Sequence, residues 1–273
     1  MSVAAGRLGG GVSVGRIGDP SATHPYADIQ SSAVFFLDAI MGPGFTDSGA
    51  ALLVPDGGAV ETIRSLGGVS RTLNAWNNAS YRPIWSRSHG SGNNRPAWDF
   101  NNVNRMIWDG SDVLSGEFVM QWVGFAKAEN FSPLNQFGRI INLATEDPSG
   151  TEQYWGSNDP ARLLVNGVGQ WNIPGGVQPV SPAVWTVVYT AAARTAYING
   201  VQLSQIVLDG YTSRSIDRLV LNSATGLDQP IPSWQGNPAK GMVLQSLGVF
   251  PGSLAPTVIA RQVALMNYWG IVA

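Results

Sequence analysis

The protein of 273 residues contains no cysteine, which excludes disulfide bonds, cysteine-ligated metal sites and thiol catalysis. Charged residues make up only 12%, against a usual share of about 25%. The net charge of −2 is too small to steer a strongly charged partner, and no Lys/Arg run marks a nucleic-acid footprint. No apolar run approaches the length of a membrane span, and residues 1–20 lack the apolar core of a signal peptide. We therefore expect no nucleic-acid partner, no membrane partner and no signal peptide.

Strand-forming residues dominate what is present. The segment 185–203, WTVVYTAAARTAYINGVQL, contains β-branched and aromatic stretches at 185–191 and 195–198. Asn199 and Gly200 follow them, and this pair favours the positive φ angles of a type I′ hairpin turn. A third strand is predicted to begin at Val201. Three strands in so short a segment leave no room for a crossover helix, so they predict an antiparallel meander.

Further strands are predicted along the sequence at 32–39, 60–63, 73–76, 81–85, 96–100, 105–108, 118–126, 139–144, 163–165, 170–173, 218–222 and 242–250. The strands at 96–100 and 105–108 are predicted to pair around an Asn101–Asn102 turn. Residues 256–269 instead show helical spacing, with Ser253 as a candidate N-cap and Gly270 as a stop. The pattern predicts an all-β antiparallel sandwich with one short C-terminal helix.

The first 30 residues form a separate region by composition. They are rich in glycine, including Gly9, Gly10 and Gly11, and carry too little apolar surface to order themselves. Two interpretations stay open: a flexible terminus, or an extended arm that orders against a neighbouring subunit. In the second, the weakly apolar side would come from Val12, Val14 and Ile17. We assign 1–30 to this arm and 31–273 to the β domain.

Four segments, taken in order, resemble one family of sandwiches. They are VFFLDA at 34–39, RPAWDFNNVNRMIW at 95–108, the meander at 185–203, and LGVFPGSLAPTVIARQVALMNYWGI at 247–271. Together they resemble the laminin-G-like, concanavalin A-like jelly-roll domains of many bacterial and phage proteins. In the second segment, Asn101–Asn102 stands where that family usually has Asp-Gly. The resemblance covers roughly residues 32–273 and implies a jelly roll with a tendency to bind glycans.

The resemblance, joined to the arm and the missing signal peptide, suggests a biological setting. Phage virion proteins assemble in the host cytoplasm and need no export signal. They often resemble this protein in low charge and in an extended terminal arm. We therefore expect a homo-oligomeric structural protein of a tailed-phage virion, in the tail or decorating the capsid. Its partners would be other virion proteins and a host-surface glycan. The alternatives are a carbohydrate-binding module outside a virion and, less favoured, a polysaccharide hydrolase.

Catalytic and metal-binding residues are scarce in the sequence. Glycosidases that share this jelly roll typically carry alternating carboxylates on one strand, which this protein lacks. Its one acidic cluster, Glu146, Asp147 and Glu152, is interpreted as a solvated loop, with a calcium site as the alternative. His24 and His89 lie in Gly/Ser/Pro-rich contexts and are expected to be exposed loop residues. We therefore expect no catalytic residues and no cofactor.

Tryptophans are the best candidates for ligand contacts, because indole rings stack on sugars and are enriched at interfaces. Four tryptophans in predicted strands are expected in the core: Trp98, Trp108, Trp122 and Trp185. Trp269 is expected to pack on the sandwich. Those beside polar residues, assigned to loops and hairpin ends, predict a carbohydrate site: Trp155, Asn158, Asp159, Trp171, Trp234 and Asn237. The alternative for each of these tryptophans is that it anchors its own loop.

Overall fold

The computed structural model describes residues 23–75, 79–101, 104–114, 116–127, 139–144, 153–156, 162–165, 169–172, 179–203, 206–207, 216–222 and 241–272. Within these ranges, seventeen strands and two short helices follow in sequence order. They are β1 (Phe35–Asp38), β2 (Thr62–Arg64), β3 (Thr72–Asn74), β4 (Ile84–His89), β5 (Arg95–Asn101), β6 (Met106–Leu114), β7 (Phe118–Ala126), β8 (Arg139–Ala144), β9 (Gln153–Gly156), β10 (Arg162–Val165), β11 (Gly169–Asn172), β12 (Ala183–Tyr189), β13 (Ala193–Ile198), β14 (Val201–Gln202), β15 (Ile206–Val207), β16 (Ile216–Leu221), β17 (Gly241–Pro251), α1 (Ala255–Ala260) and α2 (Gln262–Trp269).

The strands form two antiparallel sheets that pack face to face. The first sheet has the order β14-β13-β12-β7-β17-β5-β4, with β1 also paired to β17 and β15 to β13. The second has the order β11-β10-β9-β8-β16-β6-β3-β2. The Phe35 and Trp108 rings, one from each sheet, meet edge to face at 4.9 Å between centroids. The predicted all-β jelly-roll sandwich is therefore confirmed, and we call the facing surfaces of the two sheets their inner faces.

The central strands of the first sheet are buried along their whole length. Strands β7 and β12 expose no residue, which matches their nearly continuous apolar sequences. The inner face of this pair holds stacked rings, with Trp122 and Trp185 5.9 Å apart between centroids and Phe118 and Tyr189 4.1 Å apart. The tryptophans predicted in the core are buried: Trp98, Trp108, Trp122, Trp185 and Trp269.

The outer face of the first sheet is covered by the C-terminal helices and by residues 24–30, which we call the N-terminal strap. The hydroxyl of Tyr26 donates to Gln121 Oε1 on β7, whose Nε2 donates to Thr186 Oγ1 at 2.8 Å. Arg261 donates to Asp28 Oδ2 at 2.9 Å and to the carbonyl of Pro25 at 2.9 Å. Residues 24–30, assigned to the arm from sequence, therefore pack on the domain, whereas 1–22 lie outside the described residues.

Two turns follow the predicted chemistry closely. Asn199 and Gly200 have φ angles of 49° and 81°, as a type I′ turn requires, and they join β13 to β14 in the meander. Gly270 has a φ of 66° and ends α2, where its amide donates to the carbonyl of Asn267 at 3.1 Å. Both positions use the left-handed region that disfavours most side chains.

The predicted pairing of residues 96–100 with 105–108 is wrong. Strand β5 belongs to the first sheet and β6 to the second, so the backbone crosses between the sheets here. Asn101 and Asn104 each accept the other's backbone amide, at 3.2 and 2.9 Å. Asn222 Nδ2 donates to both of their carbonyls, at 2.6 and 2.7 Å. Asparagine side chains that satisfy the backbone favour a corner over a hairpin.

The single C-terminal helix predicted for 256–269 is two short helices. Arg261, with φ −97° and ψ 5°, departs from helical geometry and separates α1 from α2. The guanidinium of this residue is tied to the strap, which fixes the break in place. Ser253 is not an N-cap, because it lies in a 3₁₀ turn, Gly252–Leu254, that precedes α1.

Candidate ligand-binding end of the sandwich

One end of the sandwich is closed by backbone pairing between the sheets. Ala59, just before β2 of the second sheet, pairs with Ile84 of β4 in the first sheet. Trp85 exchanges backbone hydrogen bonds with the same loop, donating to Gly58 and accepting from Gly57, both at 3.0 Å. Strands β2 and β4 are therefore edges at one shared end. The opposite edge strands are β14 in the first sheet and β11 in the second, and they define the other end.

The inner face of the first sheet becomes exposed toward that other end. Trp122, Trp185, Ile198 and Val201 are register partners on successive strands, so they form one row across the sheet. Gln121 and Thr186, one residue away, are hydrogen-bonded to each other, and Gln121 also accepts from Tyr26 of the strap on the outer face. The row itself therefore lies on the inner face. The exposed fraction along the row is 0%, 0%, 8% and 57%. Val201, beside the turn, is therefore exposed, whereas Leu203, two residues further on the same face, is buried at 6%. The exposed part of the inner face is the turn end of β14, and we call this end of the sandwich the open end.

The second sheet brings two tryptophan positions to the same end. Trp155 on β9 is the register partner of Ile141, a core residue of β8, and of Val165 on β10. Trp171 on β11 is the partner of Leu163, also on β10. Because cross-strand partners share a face, as do residues two apart, both tryptophans occupy inner-face positions. Two strand spacings and a two-residue offset separate their Cα atoms by about 11–12 Å.

These positions make the open end the candidate site. It combines one exposed aliphatic residue on β14, Val201, which forms a wall, with tryptophan positions on β9 and β11, set farther apart than a single sugar ring. Trp155, expected in a loop, lies within a strand, because QYWG extends the sheet beyond β8. The other predicted carbohydrate contacts, Asn158, Asp159, Trp234 and Asn237, lie outside the described residues. So do the arm positions Gly9, Gly10, Gly11, Val12, Val14 and Ile17.

His24 is buried, which contradicts the expected exposed loop position. Its ring is enclosed by Phe36 and Tyr268, with centroids at 5.0 and 4.7 Å. Its Nδ1 accepts the backbone amide of Tyr26 at 3.1 Å, and its Nε2 lies 3.3 Å from Asp38 Oδ2. Asp38 Oδ1 in turn accepts the amides of Ile40 and Met41. The apolar rings and the Asp38 carboxylate explain the burial, which anchors the strap.

His89 also differs from the expected loop residue, since it ends strand β4 and is half-buried. Its Nε2 lies 3.1 Å from Asp99 Oδ2, and Lys127 Nζ pairs with Asp99 Oδ1. Burial alone would raise the pKa of Asp99, but hydrogen bonds from His89 and Lys127 outweigh it and hold the pKa below its ordinary value. The cluster lies on the outer face, beside the small buried patch of Ala97, Phe125 and Val243.

Neither histidine presents a ring nitrogen that could accept a substrate proton. In His24 the nitrogen distal to Asp38 is occupied by the Tyr26 amide, and in His89 the Nδ1 atom is buried. Both arrangements stabilise the fold. General-base catalysis requires a nitrogen that faces the ligand, and neither histidine provides one. Burial raises the pKa of Tyr268 as well, so this neighbouring hydroxyl stays protonated.

Across the ranges given above, no three His, Asp or Glu residues group as metal ligands would. The acidic cluster Glu146, Asp147 and Glu152, with calcium as its alternative role, lies outside those ranges. No helix in the described part is long and apolar enough to cross a membrane.

Two features of the structure were not predicted from the sequence. The exposure of Val201 depends on where the sheets diverge, which no local pattern encodes. The strap had a readable signal, since Tyr26 and Ile29 are the large apolar residues of an otherwise polar segment. Both pack against the core.

No known protein family matches this sequence, and no curated protein matches it either. Solved structures with a similar fold are numerous, at low sequence identity. Domain 4 of AbnA, an extracellular arabinanase from Geobacillus stearothermophilus, was solved in complex with arabinotriose. It matches with a TM-score of 0.51 and 12% identity over 86% of this chain and 99% of that domain.

Two toxin domains are similar over most of this chain. The botulinum neurotoxin serotype D ligand binding domain, in complex with N-acetylneuraminic acid, matches with a TM-score of 0.53 and 12% identity over 90% of this chain. The binding domain of Paraclostridial Mosquitocidal Protein 1 matches with a TM-score of 0.54 and 11% identity over 88%. This chain spans about half of each, 52% and 53%. At such identities the similarity establishes the β-sandwich fold.

Proposed function

We propose that this protein is a non-enzymatic, glycan-binding jelly roll of a tailed-phage virion, with the N-terminal arm as its anchor. The observation that carries glycan binding is the open end of the sandwich. There, Trp155 and Trp171 occupy inner-face positions of β9 and β11, on either side of β10, at the same end of the sandwich as the exposed Val201. Two similar structures, the arabinanase domain and the serotype D toxin domain, were solved with carbohydrates bound, which supports the same use of the fold here.

The geometry favours an oligosaccharide over a monosaccharide. Two tryptophan positions about 11–12 Å apart, from the strand spacing, can each serve a different ring of one oligosaccharide. Stacking on indole buries apolar sugar faces and tolerates variation in the hydroxyl groups. A binding site of this kind is weak on its own, so the expected homo-oligomer would raise the avidity for a host surface.

The proposal that the protein is not an enzyme is supported by the two histidine–aspartate pairs. Both pairs are occupied by structural contacts and leave no proton acceptor toward a ligand. Steady turnover of a host polysaccharide that Glu146→Gln abolishes would instead establish a hydrolase.

Glycan-array binding of the full-length protein tests the site. We expect binding to oligosaccharides that is lost in Trp155→Ala and in Trp171→Ala. The matched control is Tyr81→Ala, an aromatic residue near the closed end whose ring is covered by the Arg105 guanidinium at 4.0 Å. It should bind like the wild type. Silence of the wild type on a broad array, or equal loss in all three variants, would contradict the proposed site.

The virion assignment rests on the sequence alone and has its own test. Deletion of residues 1–22 leaves the strap intact, so the domain should fold and bind glycans while its association with phage particles is lost. In the native particle, which contains the full-length protein, a density map should show residues 1–22 entering the body of the particle. Glycan binding without any particle association would instead indicate a carbohydrate-binding module outside a virion.

A further inference from the structure

The Asn199–Gly200 turn is chemically vulnerable as a sequence. In such a dipeptide, the Gly200 backbone nitrogen can attack the amide carbon of the Asn199 side chain. A new bond between that nitrogen and that carbon closes a succinimide ring. The bond from the same carbon to the asparagine amide nitrogen breaks, and ammonia leaves with the proton from the Gly200 amide. Water then opens the ring to aspartate or isoaspartate. Glycine allows this attack because it has no side chain to obstruct the approach.

The reaction needs two freedoms that this turn lacks. The Gly200 amide must lose its proton, and the amide carbon of Asn199 must rotate over the Gly200 nitrogen. The Gly200 amide instead donates to Gln262 Oε1 on α2 at 3.0 Å. The side chain of Asn199 is held in place because its Oδ1 accepts the Val184 amide at 2.9 Å.

Gln262 is built into the structure as a fixed acceptor. It is a buried polar residue of the first turn of α2, at 1% exposure. An amide donor such as Gly200 N–H can only be met by the oxygen of the glutamine side chain, which fixes the orientation of that group. The Asn199 amide also donates to the Val184 carbonyl, at 2.8 Å, which ties the turn to β12.

We propose that Asn199 is a latent deamidation site and that Gln262 protects it. Conversion to aspartate would place a new negative charge next to Val201, on the wall of the open end. Conversion to isoaspartate would also lengthen the backbone by one carbon inside a two-residue turn, which would break the register of β13 with β14. The contact from α2 thus preserves the edge strand that lines the candidate site.

Peptide mapping by mass spectrometry, during incubation of the full-length protein at mildly alkaline pH, tests this protection. Over the time in which the urea-unfolded protein converts most of its Asn199, the folded wild type should remain largely unmodified. Gln262→Leu removes the acceptor at similar volume and should deamidate many-fold faster than the wild type. Gln262→Glu keeps an acceptor oxygen and should stay close to the wild-type rate.

A destabilised control separates protection from unfolding. Val258→Ala opens a cavity under α1 but leaves Gln262 in place, so its Asn199 should deamidate at the wild-type rate. Gln262→Asn, whose shorter side chain does not reach Gly200, should behave like Gln262→Leu if the latter fails to fold. The proposal is overturned if folded wild type deamidates as fast as unfolded protein. It is also overturned if Val258→Ala accelerates the reaction as much as loss of the acceptor.

Discussion

The two ends of the sandwich differ in how far their edge strands are covered. At the closed end, the loop before β2 pairs with β4, and Asp56 accepts the backbone amide of Arg87 at 2.7 Å. At the other end, an inner-face row leads from the buried Trp185 to the exposed Val201. Edge strands invite pairing with other proteins unless they are covered. One edge is covered by the protein's own loop, and the other leaves the inner-face residue Val201 accessible.

The contrast indicates where stability and function are separated in this fold. The closed end gains backbone hydrogen bonds and a buried tryptophan, Trp85, whose indole donates to the Ala39 carbonyl at 3.0 Å. At the open end, the apolar residue Val201 stays exposed. A stable domain tolerates exposed apolar surface only where that surface is small or binds a partner. Substitutions should therefore cost stability at the closed end and binding at the open end.

Trp85→Ala at the closed end should show the largest effect on stability. Removing this buried indole should lower the free energy of unfolding by about 3–5 kcal/mol. Denaturant titration of the purified variant measures this loss. Trp85→Phe keeps most of the ring area but loses the bond to Ala39, so it should cost only about 1 kcal/mol. A loss below that level in Trp85→Ala would show that this end is not closed.

Two register partners of the inner-face row, one buried and one exposed, test where the inner face becomes exposed. Ile198→Ala should cost about 2–5 kcal/mol, as in other cores. Val201→Ala, at its exposed register partner, should change the free energy of unfolding by no more than about 0.5 kcal/mol. The same denaturant titration compares the pair. Equal losses in both variants would mean that the inner face is covered as far as β14.

A pH-dependent effect, smaller than those at Trp85 and Ile198, is expected at Asp99, near the closed edge. Its folded pKa lies below the unfolded value, so the ion pairs stabilise the fold above pH about 4. That contribution is lost as the pH falls through the folded pKa. Because the carboxylate is partly exposed, Asp99→Asn should cost only about 0.5–1 kcal/mol at neutral pH. The difference from wild type, followed by urea titrations down the pH scale, should vanish in acid; a constant difference would contradict this account.

Much of the fold could be predicted from the sequence because its signals are local. The strands at 118–126 and 139–144 are observed with the predicted bounds, and the Asn199–Gly200 turn has its predicted φ angles. Alternation and turn chemistry depend only on neighbouring residues. Pro83 predicts an edge strand, because proline has no amide to donate, and β4, which follows it, lies at the edge of the first sheet.

Tertiary features were predicted less well because they depend on distant partners. The Asn101–Asn104 corner looks like a hairpin in sequence and becomes a sheet crossing only when Asn222 meets it. The burial of His24 requires Asp38 and Tyr268, one from β1 and one from α2. For the candidate site, the sequence indicated tryptophans without their geometry, and the strand register supplied it for Trp155 and Trp171.

The most direct test of the central claim is hydrogen exchange of the full-length protein with and without an oligosaccharide selected on the array. The account predicts added protection at residues 198–202, on the wall of the open end, and none at strap residues 24–30. Protection confined to the strap or to the closed end, with 198–202 unchanged, would contradict the assignment of the open end as the binding site.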